Sequence, residues 1–404
     1  MAQDGVLILA DDLTGAADTA VALSGAHAPA RVVLGLCPIP PAGGEPAVLS
    51  LDLHTRGMAQ TDARQCMAEA GREAWASGRR LFKKIDSTWR GHVGAELAAL
   101  ATALEPDTLF VLAAAHPELG RTVNGGRLSV HGQAADRAPL QQELQAQGLA
   151  CHQVPSATQT DPVAWEDAWR QASQLPGRTV VLCDAVSTED LRRTVRATQA
   201  LGRRFAWVGS GGLAQAIAAV ARPAAGCESG PIRSRPADVP PPGDRWFVVG
   251  SHAPIARAQV DALAAAGAVS VVDLSMDALR LTQSEGPATA HARALIRQAR
   301  LAGHDIVLRP APAMAVTPTD AAAVSQGLAC WAASILTGAK ALIVCGGDTA
   351  RTLLDRVGVR ELLVRPSAEV GTSVAAATGL PGLPILLKAG AFGDASLLSR
   401  LGKA

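Results

Sequence analysis

The sequence predicts an α/β architecture of two domains, each a mainly parallel β-sheet flanked by helices in the Rossmann-like manner. Three observations lead there. Short apolar runs alternate with Ala- and Leu-rich helical stretches along the whole chain, the rhythm of βα units whose strands are covered on both faces. At 404 residues the chain is too long for one ordinary domain. The rhythm also breaks once, over 223–244, where Pro, Gly and polar residues crowd a stretch that sustains neither a helix nor a central strand. The predicted division is therefore a first domain over 1–222, a linker or crossover over 223–244, and a second domain over 245–404.

The elements follow in order. Val6–Leu9 reads as a buried strand and Thr14–Leu23 as the helix behind it. Leu81–Ile85 is a strand feeding a helix through Glu96–Leu104, and Leu109–Ala113 is another strand. The Gly-rich segment Gly120–Gly132 reads as a hairpin or substrate loop, after which Val180–Cys183 and Phe205–Val208 are strands, each followed by a helix. The second half restarts with strand Trp246–Val249, helix Ile255–Ala266, strand Ser270–Leu274 and helix Ala290–Leu301. Strand Ile306–Arg309, helix Ala321–Leu336 and strands Leu342–Cys345 and Ile385–Lys388 complete the set.

Composition removes several classes of function. A net charge of +1 with acids and bases interspersed lacks the basic face of a nucleic-acid protein. The seven cysteines are scattered and never spaced C-x-x-C, which fits neither a disulfide framework nor a zinc site. Cys183 and Cys345, at the ends of apolar runs, read as buried small hydrophobes. The first apolar run lacks the basic flank and length of a signal peptide, and no stretch is long enough to span a membrane, so a cytoplasmic protein is expected.

Two motifs in the first half carry chemistry. Asp11 and Asp12 end the first strand, at the sheet edge where ligands collect. Either Asp12 or Thr14 suits a helix cap, but adjacent acids also need a cation, hydrogen bonds or solvent. The second motif, Lys84-Ile85-Asp86-Ser87-Thr88-Trp89-Arg90-Gly91, puts two cations, an acid and two hydroxyls into one turn. That set suits a sugar acid, with Lys84 and Arg90 for its carboxylate and Asp86, Ser87 and Thr88 for its hydroxyls. Charge-assisted bonds of this kind contribute about 1.5–3 kcal/mol each. A helix-start loop with an internal ion pair is the plainer reading. His116–Thr122 and Gly209–Ala214 add further turns beyond strands, whose glycines would let backbone amides approach a ligand closely.

The second half offers glycine turns instead. Gly250-Ser251 precedes Pro254 at a helix start, a natural phosphate seat. Gly346-Gly347-Asp348-Thr349 repeats the geometry, and Lys388–Gly393 supplies a third turn. The P-loop, the dinucleotide fingerprint and the protein-kinase signatures are all missing from the sequence.

In one order the chain therefore carries D-D-L-T-G-A-A-D, K-I-D-S-T-W-R-G, G-R-T-V-N-G and G-S-G-G-L-A, then G-S, G-G-D-T-A and K-A-G-A-F-G. This series resembles the four-carbon acid sugar kinase family, which includes D-threonate, D-erythronate and 3-oxo-tetronate kinases. The resemblance runs from Asp11 to Gly393. It implies a sugar-acid domain followed by a nucleotide domain, with ATP as co-substrate, Mg2+ as its metal, and phosphorylation of the terminal C4 hydroxyl. It places ATP contacts on Ser251, Gly346, Gly347, Asp348, Thr349 and Gly390. The acid falls to Asp11, Asp12, Lys84, Asp86, Ser87, Arg90, Gly120 and Arg121, and no residue is assigned to the metal. Two departures stand out: Gly371-Thr372-Ser373-Val374 follows Glu369-Val370 where the family tends to a Pro-Gly-Val-Pro-like loop, and Trp89 stands where Leu is commoner.

Phosphoryl transfer asks chiefly for alignment and charge neutralisation. The expected mechanism has Arg90 and Lys84 gripping the carboxylate and Asp12 accepting the hydroxyl proton, with Asp86 as the second candidate base and the domains closing to exclude water. The rival from another class is a catalytically silent sensor of the same fold that binds a sugar acid or nucleotide. A phosphatase needs its two acids one residue apart, and a dehydrogenase needs the missing fingerprint. A homodimer is the symmetric default.

Overall fold

Strands such as Val6–Ala10 and Leu109–Ala113 are apolar at nearly every position because the sheets they join are buried on both faces. The computed structural model describes residues 5–24, 29–221, 240, 243–280, 282, 286–312, 314, 317, 320–367, 369 and 371–401. Apart from 240, 243 and 244, the expected crossover over 223–244 lies outside the described residues. The chain divides into two units, Met1–Cys227 and Glu228–Ala404.

The first unit begins with β1 (Val6–Ala10) and α1 (Leu13–Ser24), then β2 (Ala30–Leu34), β3 (Val48–Asp52), α2 (Gln60–Ala76), β4 (Arg80–Lys84) and α3 (Val93–Ala103). It continues with β5 (Leu109–Ala113), a small antiparallel sheet of β6 (Arg121–Asn124), β7 (Arg127–Val130) and β8 (Gln133–Ala134), and α4 (Leu140–Gln145). It closes with β9 (Cys151–Val154), α5 (Pro162–Ala172), β10 (Val180–Cys183), α6 (Thr188–Gln199), β11 (Phe205–Gly209) and α7 (Gly211–Ala221). The order β2-β3-β1-β4-β11-β5-β10-β9 is parallel throughout. The chain leaves β1 toward one edge and β4 toward the other, so the topological switch point lies between them, where open α/β sheets bind ligands. Small residues let the covering helices come close: a Cβ on Gly71 of α2 would stand 2.7 Å from Leu100 of α3.

The second unit repeats the plan. It runs β12 (Arg245–Val249), α8 (Pro254–Ala265), β13 (Val269–Leu274), α9 (Met276–Arg280), α10 (Pro287–Leu301), β14 (Asp305–Pro310) and α11 (Ala321–Ile335). Then come β15 (Ala341–Cys345), α12 (Gly347–Arg356), β16 (Glu361–Pro366), β17 (Thr372–Ala377), β18 (Ile385–Lys388) and α13 (Leu397–Leu401). Its order is β13-β14-β12-β15-β18-β17-β16. The switch point here lies between β12 and β15, and β17 runs antiparallel to both its neighbours. Phe247, Val260, Val307, Ile343 and Leu386 centre a core beneath α8 and α13. A buried Arg245–Asp305 pair ties β12 to β14. Among the described residues no helix is long and apolar enough to cross a membrane.

Every strand expected from the sequence is present within a residue or two of its predicted bounds. The sequence reading did not find β2, β3, α2, β9, α5 or the antiparallel β16–β17 pair. The hairpin expected over Gly120–Gly132 is the β6–β7 turn.

Candidate active site

In the first unit the polar side chains hang from the carboxyl ends of β1, β3, β4 and β5, around the switch point. Asp12 caps α1: its Oδ1 accepts from the Gly15 amide at 3.1 Å and its Oδ2 from the Thr14 hydroxyl at 2.7 Å. It does not stop there. Arg56, on a 3-10 turn after β3, donates Nη2 to Asp12 Oδ1 at 3.0 Å and grips Asp11 in a fork at 2.8 and 3.0 Å. The same Nη2 stands 3.6 Å from Asp86. One guanidinium thus supplies the cation that three buried carboxylates require.

Neighbouring lysines at the end of β4 face opposite ways, as pleating dictates. Lys83 is wholly buried and pairs with Glu96 of α3 at 2.8 Å, while the Thr55 hydroxyl donates a short bond to the same carboxylate. Lys84 turns toward α1 and donates to the Ile85 carbonyl at 2.8 Å. Space above it is tight, since a Cβ on Gly15 would come 2.8 Å from the ammonium and force it or Asp12 to shift.

Beyond Lys84 the chain wraps around Asp86, which accepts from the Thr88 amide at 2.8 Å, the Thr88 hydroxyl, and Arg90 Nη2 at 2.7 Å. Arg121 donates to the Ser87 hydroxyl at 2.6 Å. It opens β6 just after Gly120, whose φ of 65° sets the turn. Trp89 takes a left-handed φ of 64°; its indole donates to Glu143 at 2.9 Å. Arg137 forks that glutamate and also donates to the Thr88 and Trp89 carbonyls, each at 3.1 Å. The departure at Trp89 thus comes with its own support. All eight substrate candidates of the first half, Asp11, Asp12, Lys84, Asp86, Ser87, Arg90, Gly120 and Arg121, border this one place.

Electrostatics separates the acids. Burial raises Asp11, more than the Arg56 fork and Lys83 draw it down. Burial opposes ionisation at Asp12 too, but Arg56, Lys84 and the Thr14 hydroxyl outweigh it and hold Asp12 low. Asp86 is held far below the carboxylate range, its burial overcome by Arg90, Arg56 and Thr88. Asp18, one turn along α1, is pushed up to about 7 by burial. His116, after β5, is depressed to about 4 by burial and by the nearby Arg121 and Lys84.

In the second unit three turns meet. Ser251 follows β12, Gly346 caps α12 with a φ of 116°, and Gly390 follows β18. The fit is close: a Cβ on Gly250 would overlap the Thr349 hydroxyl at 1.9 Å, and one on Gly390 would stand 2.2 Å from Ser251 Oγ. A Cβ on Gly346 would lie 3.5 Å from the Ser251 amide. Asp348 is exposed in the first turn of α12 and Thr349 is buried beneath it. Beside Ser251 lies a small recess lined by His252, Arg257, Arg309 and Met314.

Residues 6–217 match the family model described as a sugar-binding N-terminal domain, and residues 246–398 the one described as a nucleotide-binding C-terminal domain. The D-threonate kinase of Cupriavidus necator is 33% identical over 97% of this chain and 96% of its own. The chain belongs to the four-carbon acid sugar kinase family. As a member it is a phosphotransferase acting on a hydroxyl group. The 3-oxo-tetronate kinase of Methylobacterium radiotolerans is 29% identical over 97% of each chain. A solved structure from Salmonella typhimurium LT2 shares the fold, with a TM-score of 0.74 at 22% identity over 98% of each chain.

Several residues of the family's sugar-binding unit escaped the sequence reading. Arg56 is the main one. Its signal was present, an apolar run Val48–Leu51 followed by a turn, but the Ser50 and Asp52 within that stretch obscured a strand. Glu96 and Lys83 carry no local mark at all, because their pairing joins a strand to a helix.

Proposed function

We propose that this kinase moves the γ-phosphoryl group of ATP to the C4 hydroxyl of a four-carbon sugar acid, binding the acid at the β1–β4 switch point and ATP at the β12–β15 switch point. The observation carrying this reading is the charge arrangement around Arg56. That guanidinium is committed to Asp11, Asp12 and Asp86, whereas the Lys84 ammonium rests on a neutral carbonyl. Lys84 and the largely exposed Arg90 are therefore the cations for a substrate carboxylate, with Ser87, Gly120 and Arg121 beside them. D-threonate is the first acid to test, because the Cupriavidus necator relative bears that name; D-erythronate and 3-oxo-tetronate follow.

Asp12 accepts the proton of the attacking hydroxyl, a role worth roughly 10²–10⁴-fold. Asp86 is the second candidate base; it accepts from Thr88 and Arg90 much as Asp12 accepts from Gly15, Thr14 and Arg56. Ser251, Gly346, Gly347, Thr349 and Gly390 seat the phosphates through backbone amides and hydroxyls. Among the described residues no group of three or more His, Cys, Asp or Glu is placed to hold a metal. That fits Mg2+, which keeps its waters and binds chiefly through substrate phosphates. When bound it neutralises phosphate charge, and Asp348 is the carboxylate of the cup that would reach it. We place the enzyme in the cytoplasm as a homodimer.

The test is an ATP-coupled assay against D-threonate, L-threonate, D-erythronate and 3-oxo-tetronate, with the product's phosphorus located by NMR. ADP release with one of them and phosphate on C4 is expected. ATP and acid binding without turnover of any acid would instead identify the silent sensor.

A further inference from the structure

Among the described residues two lysines are completely buried, and they are treated differently. Lys83 has Glu96 at 2.8 Å. Lys388, at the end of β18, has no acidic partner among the described residues: its ammonium donates to the Ala389 carbonyl at 3.0 Å, the Gly390 carbonyl at 3.2 Å and the Cys345 sulfur at 3.4 Å. Burial raises the Cys345 thiol despite this neighbour, so the sulfur is a neutral partner. Lysine is almost never fully buried without a counter-charge, because desolvating an ammonium costs several kcal/mol. A fold that pairs one such lysine and leaves the other without an anion is keeping a positive charge in reserve.

The position of that charge indicates its use. The Lys388 carbonyl accepts the Gly346 amide at 2.9 Å, so the residue ties the Gly346 turn to the Gly390 turn. Gly390 in turn packs on Ser251. The ammonium therefore lies directly under the meeting point of the three turns. We propose that Lys388 is the resident cation of the phosphate cup, completed by the nucleotide's phosphates, and that it sets the enzyme's preference for the more highly phosphorylated nucleotide. This rests on the reading of the second unit as the ATP site. Lys388 is wholly buried behind the turns, so it is assigned a positioning and electrostatic part rather than a catalytic one.

Two variants of the full chain separate charge from scaffold. Lys388→Gln keeps a donor for the carbonyls without the charge, and Lys388→Met removes both at similar volume. Calorimetric titration with AMP, ADP and ATP at low salt is the readout. Wild type should bind in the order ATP, ADP, AMP. Both variants should lose at least about tenfold for ATP, progressively less for ADP, and almost nothing for AMP. Without nucleotide, Lys388→Met should melt no lower than wild type, since it relieves a buried charge. An equal loss for all three nucleotides, or a lower melting temperature with unchanged affinities, would make Lys388 an ordinary brace and overturn the proposal. Wild-type ATP affinity in Lys388→Gln would do the same, and that variant still decides the matter if Lys388→Met does not fold. Should wild type itself bind none of the nucleotides, the ATP-site reading fails first, in an arm that involves no variant.

Discussion

Arg56 serves three carboxylates at once, and its planar fork is what makes that geometry possible. Arg56→Lys keeps the charge but cannot grip Asp11 through two bonds while reaching Asp12. Its kcat/KM should fall by at least about tenfold, and the acid limb of the pH profile should move up as the freed carboxylates repel one another. A profile that keeps its shape would remove Arg56 from that role. Asp12→Asn should cut turnover at least about a hundredfold and leave ATP affinity, measured by titration, unchanged. Asp18 offers a test of stability. Its folded value of about 7 lies above its ordinary 3.8, so the unfolded chain gives up this proton first. Its contribution is complete below about pH 4 and is lost as pH rises to about 7. The melting temperature of Asp18→Asn should therefore gain on wild type across that window and stop gaining above it. Parallel curves would show that burial does not tune this carboxyl.

Helices and strands meet in this chain through glycine as much as through large side chains. At Gly15 a methyl group would meet both Asp12 and Lys84, at 2.5 and 2.8 Å, so Gly15→Ala should raise the KM for the acid and spare that for ATP. At Gly71 the same change strikes Leu100, far from the switch point. It should lower stability by about 1–3 kcal/mol, read from denaturant unfolding, with kinetics unaltered. The elements differ too in how plainly the sequence announces them. β1, β5, β10 and β15 are apolar at every position and were legible at once. β3 carries Ser50 and Asp52, both wholly buried, and so lacks the expected pattern. α2 is largely polar because only one narrow stripe of it touches α3. β16 and β17 alternate buried and open positions, the signature of an antiparallel pair within a sheet expected to be mainly parallel. The altered loop after Glu369 is part of that pair: Gly371 and Thr372 turn the chain into β17, and Glu369 is held by Arg400 at 2.8 and 2.9 Å.

The molecule uses one solution twice. Each unit is a mainly parallel sheet whose order reverses beside its first strand, and each puts its polar turns at that reversal. This is why motif order alone picked out candidates that the fold brings together: strand ends are read from apolar runs, and the residues just past them were the candidates. What lay beyond reach was pairing across the sheet, such as Arg56 with Asp11 or Lys388 with Cys345, which no local spacing encodes. The two-site reading predicts independence in binding. Ser251→Asp, which sets a carboxylate against the incoming phosphates, should abolish ATP binding in calorimetry while the acid still binds.

Trp89 has a practical use. Its indole is pinned by Glu143 and lies 5.9 Å from the Arg137 guanidinium, inside the loop that carries Asp86 and Arg90. A buried ring hydrogen-bonded to a carboxylate emits according to the local field, so a small anion settling on Arg90 should change its fluorescence. If the acid sits on Arg90 as proposed, Trp89 should report its binding in a stopped-flow instrument before any phosphate has moved, with Trp89→Phe as the blank.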